Sequence, residues 1–150
     1  MSDLTDLYQE VILDHGKAPR NFGEPESATC SAEGYNPLCG DKIRVHLVLD
    51  GDTVKDIRFD GAGCAISMAS ASLLTEAVKG KSRDEALAAF ERFQHMVSGD
   101  GGEDAFPEGM EKVAVFSGVR EFPMRVKCAT LAWHTLKAAM AEEAETVTTE

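Results

Sequence analysis

Positive charge is scarce in this chain. Fifteen Lys and Arg face 26 Asp and Glu, for a formal net charge of −11 and a sequence pI near 4.8. A field of that sign repels phosphate backbones and anionic lipid surfaces, so neither nucleic acid nor membrane is an expected partner. Long apolar runs are missing as well. The longest uncharged stretch, Gly61 to Thr75, is short and rich in Ser, whereas a bilayer-spanning helix needs about 20 apolar residues. The opening Met1-Ser2-Asp3-Leu4-Thr5-Asp6 is acidic and lacks an apolar core, so no signal peptide is expected and the location is read as cytoplasmic. Cysteine is sparse and never paired as CxxC: Cys30, Cys39, Cys64 and Cys128 lie far apart. Without export, a disulfide framework is not expected, which leaves buried small residues, metal ligands or catalytic thiols.

What is present suits one domain with its own core. The chain has 150 residues and is 43% hydrophobic, enough to bury a core without staples. Leu4, Leu7, Tyr8, Val11 and Ile12 recur at helical spacing, predicting a helix over about 4–15 that stops at the Gly16 to Pro19 segment. A modest strand candidate covers Ala28–Tyr35. Ile43, Val45, Leu47 and Leu49 alternate with Lys42, Arg44, His46 and Asp50, the pattern of a strand with one wet face. Asp50-Gly51-Asp52 turns the chain into a returning strand over Val54 to Phe59. By this alternation His46 is read as solvated.

From Cys64 onward the period becomes helical. Ile66, Ala69, Leu73 and Ala77 form one stripe that Gly80 ends. Ser82 and Glu85 form a capping box for a helix carrying Leu87, Phe90, Phe93 and Val97. An acidic, solvated loop over Asp100–Asp104 and a short helix around Glu108–Phe116 are expected next. Pro123 suits the first turn of a last helix, whose stripe is Val126, Ala129, Trp133, Leu136 and Met140. Strands first and helices afterwards predict an α+β fold: a small antiparallel three-stranded sheet with helices packed on one face. Residues 1–140 are read as a single domain, and 141–150 as an acidic, frayed tail.

The chemistry gathers around three of the cysteines. Cys39-Gly40-Asp41 sets a thiol and a carboxylate two residues apart, so that in extended backbone both can face one point. Cys64 follows Gly61-Ala62-Gly63 and opens a helix, where the dipole favours a thiolate. Cys128 lies early in the last helix, with Arg125 three residues before it on nearly the same face; His134 is a weak candidate for the same site. Cys39, Asp41, Cys64 and Cys128 together would offer three sulfurs and one oxygen, a set that suits tetrahedral Zn²⁺. Three thiolates, a carboxylate and a dication sum to −2, so nearby positive charge is needed, and Arg125, Lys127 and Lys42 are the candidates to supply it. An iron–sulfur cluster is the alternative occupant, although all-Cys ligation is usual for clusters. Buried inert thiols and a redox dithiol stay open. Cys30 reads as a buried small residue or a surface thiol, His15 and His95 as solvated or capping, and Trp133, Phe90 and Phe93 as core aromatics.

Three blocks carry a resemblance: Asn36-Pro37-Leu38-Cys39-Gly40-Asp41, Gly61-Ala62-Gly63-Cys64-Ala65-Ile66-Ser67-Met68-Ala69-Ser70-Ala71-Ser72, and Lys127-Cys128-Ala129-Thr130-Leu131-Ala132-Trp133. Together with Leu7-Tyr8, Asp14-His15 and Pro19-Arg20-Asn21, they resemble the IscU/NifU N-terminal family over about residues 4–140, most closely its SufU branch. The resemblance implies the same α+β fold. Lys127 stands where IscU-type scaffolds have His, and the stretch at about Gly99–Gly118 is similar to the SufU insertion. It implies a zinc-dependent sulfurtransferase that takes persulfide sulfur from a PLP-dependent cysteine desulfurase of the SufS type and passes it towards a downstream Suf cluster scaffold. The IscU alternative is a scaffold holding a transient [2Fe–2S] cluster on the same ligands. By the resemblance, zinc would sit on Cys39, Asp41, Cys64 and Cys128, Cys39 would receive the sulfur, and Arg125 would assist docking or ligand exchange. A partner histidine would replace Cys39 on the metal.

Overall fold

Alternation at Ile43, Val45 and Leu47 decides the middle of the fold, because all three side chains are fully buried on one face of a central strand. A computed structural model gives the placement of residues 3–23, 25, 30–37, 40–98, 116, 123–141 and 147–148. Its elements in chain order are α1 (Asp3–Lys17), β1 (Cys30–Asn36), β2 (Asp41–Asp50), β3 (Thr53–Ala62), α2 (Ala65–Val78), α3 (Arg83–Ser98), α4 (Pro123–Met140) and β4 (Val147–Thr148). The strand order is β3-β2-β1-β4. β1, β2 and β3 pair antiparallel, and β4 adds a short parallel rung on β1. The expected acidic loop at Asp100–Asp104 and the expected helix around Glu108–Phe116 lie outside the described residues, apart from Phe116 itself.

The helices cover one face of the sheet. α2 and α4 lie against it, α1 packs on α2, and α3 on α4. Gly34 marks the closest approach, since a Cβ there would overlap the Thr135 hydroxyl of α4. Trp133 and Phe93 stack with centroids 4.7 Å apart, and Phe116 closes edge-on over Phe93, so the expected core aromatics are core. Ser82 and Glu85 form the reciprocal box at the start of α3. Each backbone N–H donates to the other residue's side-chain oxygen at 3.1 Å, so two donors at the helix start that lack intrahelical partners are satisfied. The Ser82 backbone N–H is also the main reason Glu85 sits below the usual carboxylate range. At the far end of α2, Gly80 takes φ +84, a left-handed value only glycine adopts freely.

Three expectations need correction. His46 is not solvated; it is buried on the outer face of the sheet, where its two cross-strand neighbours enclose it. Its Nδ1 lies 2.8 Å from the Ser31 hydroxyl and its Nε2 2.6 Å from Asp60 Oδ2, while Arg44 donates to Asp60 Oδ1 from the other side. A central strand has neighbours on both sides, so its polar face can be dry wherever they are long. His15 is buried too, at the α1–α2 seam. The Ser72 hydroxyl accepts from the Arg20 backbone N–H at 2.8 Å and lies 2.7 Å from His15 Nδ1, in hydrogen-bond contact with it. The tail is not wholly frayed, because Val147 and Thr148 pair with Gly34 and Tyr35 along the otherwise open edge of β1.

His134 belongs to the α3–α4 interface rather than to the cysteine site. Its ring stands edge-on to Phe90 at 5.2 Å, with Lys137 over the same Phe90 ring. Burial, and then the Lys137 charge, hold its pKa below the ordinary 6.5. The folded protein therefore binds this proton less readily than the unfolded chain. Stability from this group is complete above about pH 6.5 and is lost as the pH falls towards the depressed folded value. The melting temperature of His134→Phe should fall less between pH 7.5 and 5.5 than that of the unsubstituted protein. Equal falls in the two proteins would show that the ring does not titrate this way.

Candidate metal centre

Three elements end or begin at one point. β1 and β2 are joined through residues 37–40, and Asn36 and Asp41 face each other across the hairpin. Gly40 has φ +74, and its N–H donates to the Asn36 carbonyl at 2.9 Å. At Gly40 the backbone is therefore left-handed where an extended one was expected, because a connection this short between paired strands needs a left-handed residue and glycine supplies it at least cost. Cys39 lies outside the described residues. Asp41 opens β2 pointing inward and is fully buried.

Cys64 is the N-cap of α2, in extended backbone, and its Sγ accepts from the Ser67 N–H at 3.5 Å. It is the exposed member of the group, whereas Cys128, in the second turn of α4, is 3% exposed. One carboxylate oxygen of Asp41, the Cys64 sulfur and the Cys128 sulfur all lie within 4.8 Å of one another. Two hydrogen bonds aim the carboxylate. The Cys64 backbone N–H donates to Oδ1 at 2.8 Å, and Asn36 Nδ2 donates to Oδ2 at 3.3 Å. Gly63 makes room for this, since a Cβ there would sit 2.7 Å from Asp41 Oδ1.

The donor chemistry fits a thiophilic dication. The described donors to Asp41 are two amides and, at 4.0 Å, the Cys64 thiol, and none brings a full positive charge to a carboxylate held out of water beside two sulfurs. Burying such a group costs several kcal/mol unless a cation completes it. Two sulfurs and one oxygen at this spacing match three corners of a tetrahedral zinc site. The structure thus brings Asp41, Cys64 and Cys128 together from three distant parts of the chain, as the residue types suggest.

The expected counter-charges are distributed differently. Lys42 points to the opposite face of β2, where it pairs with Glu33 at 3.6 Å, because adjacent strand residues face opposite ways. Arg125 lies exposed in the first turn of α4, one helical turn before Cys128, and Lys127 is half-buried. Asn36 was quoted above only as part of a motif, yet it touches the site directly: its Nδ2 also points at Cys128 Sγ, 3.6 Å away. Period two had the signal, for Cys30, Ala32, Gly34 and Asn36 share the inner face of β1.

The family model described as the NifU-like N-terminal domain matches residues 7–148. The zinc-dependent sulfurtransferase SufU of Bacillus subtilis is 44% identical over 142 residues, 95% of each chain. The iron–sulfur cluster assembly scaffold protein IscU of Streptococcus pyogenes is 41% identical, over 96% of this chain and 89% of that one. A crystal structure from Fervidobacterium islandicum, described as an iron–sulfur cluster assembly scaffold protein for the SUF system, superposes with a TM-score of 0.79 at 37% identity, covering 87% of this chain and 94% of that one. In sequence and in fold, this chain belongs to the NifU-like N-terminal domain family.

Proposed function

We propose that this protein is a zinc-dependent sulfur acceptor for iron–sulfur cluster assembly, working with a PLP-dependent cysteine desulfurase of the SufS type and delivering to a downstream Suf cluster scaffold in the cytoplasm. The observation that carries the reading is the convergence of the buried Asp41 and Cys128 with the exposed Cys64, beside the β1–β2 connection whose sequence contains a further cysteine. Chain geometry adds to it, because a residue two positions before Asp41 lies at most about 7 Å from it along the backbone. Cys39 is therefore the fourth ligand of this proposal, joining Asp41, Cys64 and Cys128. Zinc, when bound, would keep the thiols ionised and tie the fold to metal occupancy.

The residues then divide the labour. Cys64 and Cys128 stand on helices and hold position, while Cys39, between Pro37 and Gly40, is the member able to leave. As a thiolate it attacks the outer sulfur of the donor's persulfide. The donor's S–S bond breaks, its cysteine departs as a thiolate, and Cys39 becomes the persulfide. Arg125, exposed one turn before Cys128, is the cation of this proposal that meets the incoming partner. Lys127, standing in place of the scaffold branch's His, favours acceptor over scaffold.

The test uses protein purified without added iron. One colourless zinc per chain, together with faster alanine formation by a cysteine desulfurase when the protein is added, is the expected result. A brown protein with equimolar iron and sulfide would instead favour the [2Fe–2S] scaffold, and zinc without stimulation would leave only a structural metal.

A further inference from the structure

Asn36 is fully buried, and its side chain is used on one side only. Its Nδ2 donates at 3.3 Å to Asp41 Oδ2 and points at Cys128 Sγ at 3.6 Å, while its Oδ1 has no hydrogen-bond partner among the described residues. A buried, unpaired carbonyl costs on the order of 1–3 kcal/mol, so packing alone favours an apolar residue here. The alternative amide orientation is worse. It would set Oδ1 against a carboxylate oxygen and a sulfur, both electron-rich acceptors. The side chain is thus fixed with its donor towards the two ligand atoms.

The position of Asn36 in the fold explains what that donor can do. Asp41 and Cys128 come from β2 and α4, and no covalent or backbone link orients one towards the other. Asn36, at the end of β1, is a neutral group that touches both. We infer that Asn36 is a positioning residue of the metal centre: its amide clamps the Asp41 carboxylate and the Cys128 sulfur into one donor set and thereby sets the affinity and geometry with which a thiophilic dication is held. The amide softens repulsion between two electron-rich ligands without introducing a cation that would compete with the metal. Partners of metal ligands act this way in general, and losing one costs about 10- to 100-fold in metal affinity. This inference rests on the zinc reading above.

The experiment compares the unsubstituted protein with Asn36→Ala and Asn36→Asp, all reduced and metal-free at the start. Zinc affinity is read by competition with a chromophoric chelator, ligand geometry by the absorption bands of the Co²⁺-loaded protein, and folding by the metal-free melting temperature. Asn36→Ala should bind zinc about 10- to 100-fold more weakly, with altered cobalt bands. Asn36→Asp, of the same size, should bind more weakly still, because an oxygen replaces the donor facing Asp41 and Cys128. Both variants matching the unsubstituted protein within about twofold, with the same cobalt bands, would overturn the inference whatever their melting temperatures. So would failure of both to fold, since Asn36 would then be a packing residue. A parent protein that binds neither zinc nor cobalt would take down the zinc reading together with this one, a result distinct from variants that match a zinc-binding parent.

Discussion

Stimulation of a cysteine desulfurase should vanish in Cys39→Ala, with alanine formation falling to the rate of the desulfurase alone, while the protein still folds. The two halves of that expectation have separate causes. Acceptance needs a nucleophilic sulfur that can reach the donor. Cys128 is 3% exposed and held on α4, and Cys64 is tied down as the N-cap of α2, so neither can travel to a donor. Folding depends on a core formed by other side chains: Ile43, Val45, Leu47, Ile57, Phe59, Trp133 and Leu136 are fully buried where the sheet meets α2 and α4. Surface and loop substitutions away from such features change stability by about 0.5 kcal/mol or less, so the metal-free melting temperature should stay within about 2 °C of the parent's. Zinc binding should weaken by at least the 10- to 100-fold seen when a mere partner of a ligand is lost. Full stimulation by Cys39→Ala would move the acceptor role to another sulfur.

Much of the fold could be read ahead because it rests on local signals. The Ser82–Glu85 box, Gly80 past the end of α2, Pro123 at the start of α4 and the alternation along β2 each state one element's type and limits. What could not be read depends on partners far along the chain. Alternation puts His46 on the outer face of β2, but only strand order shows that Ser31 and Asp60 flank it there. Likewise nothing local marks Val147 and Thr148 as partners for the edge of β1.

The site was legible in its residue types more than in its geometry. A carboxylate and two thiols of metal-binding character are visible in Asp41 beside Gly40, Cys64 at a helix start and Cys128 early in the last helix. Their convergence is set by the hairpin register at Asn36 and Asp41 and by the close packing of α4 on β1 at Gly34, both properties of the assembled sheet. Lys42 shows the cost of reading proximity from sequence distance, since the residue next to a ligand on a strand faces away from it. The role of Asn36 was hidden for a related reason: its two contacts lie 5 and 92 residues away.

Removing zinc should lower the melting temperature by about 8–16 °C, and Cys128→Ser should erase that difference. A ligand present at a thousand times its dissociation constant stabilises the folded state by about 4 kcal/mol, provided the unfolded chain does not hold it. Each kcal/mol moves the midpoint of a chain this long by about 2–4 °C. The unfolded chain is a poor competitor here, because Asp41 and Cys64 are 23 residues apart and Cys128 is farther still, so gathering them without the fold carries the loop-closure cost of two long segments. Cys128→Ser keeps the size of the side chain and leaves Asn36 Nδ2 an acceptor, and its metal-free form should therefore melt near the metal-free parent. What it loses is a buried thiolate that no other described cysteine can supply, since Cys30 lies at the opposite end of β1 from Asn36. The measurement is a pair of thermal melts for each protein, one with buffered free zinc and one with chelator. A parent whose midpoint ignores zinc, or a Cys128→Ser variant that keeps the full zinc-dependent rise, would mean that the metal is not held by β2, α2 and α4 together.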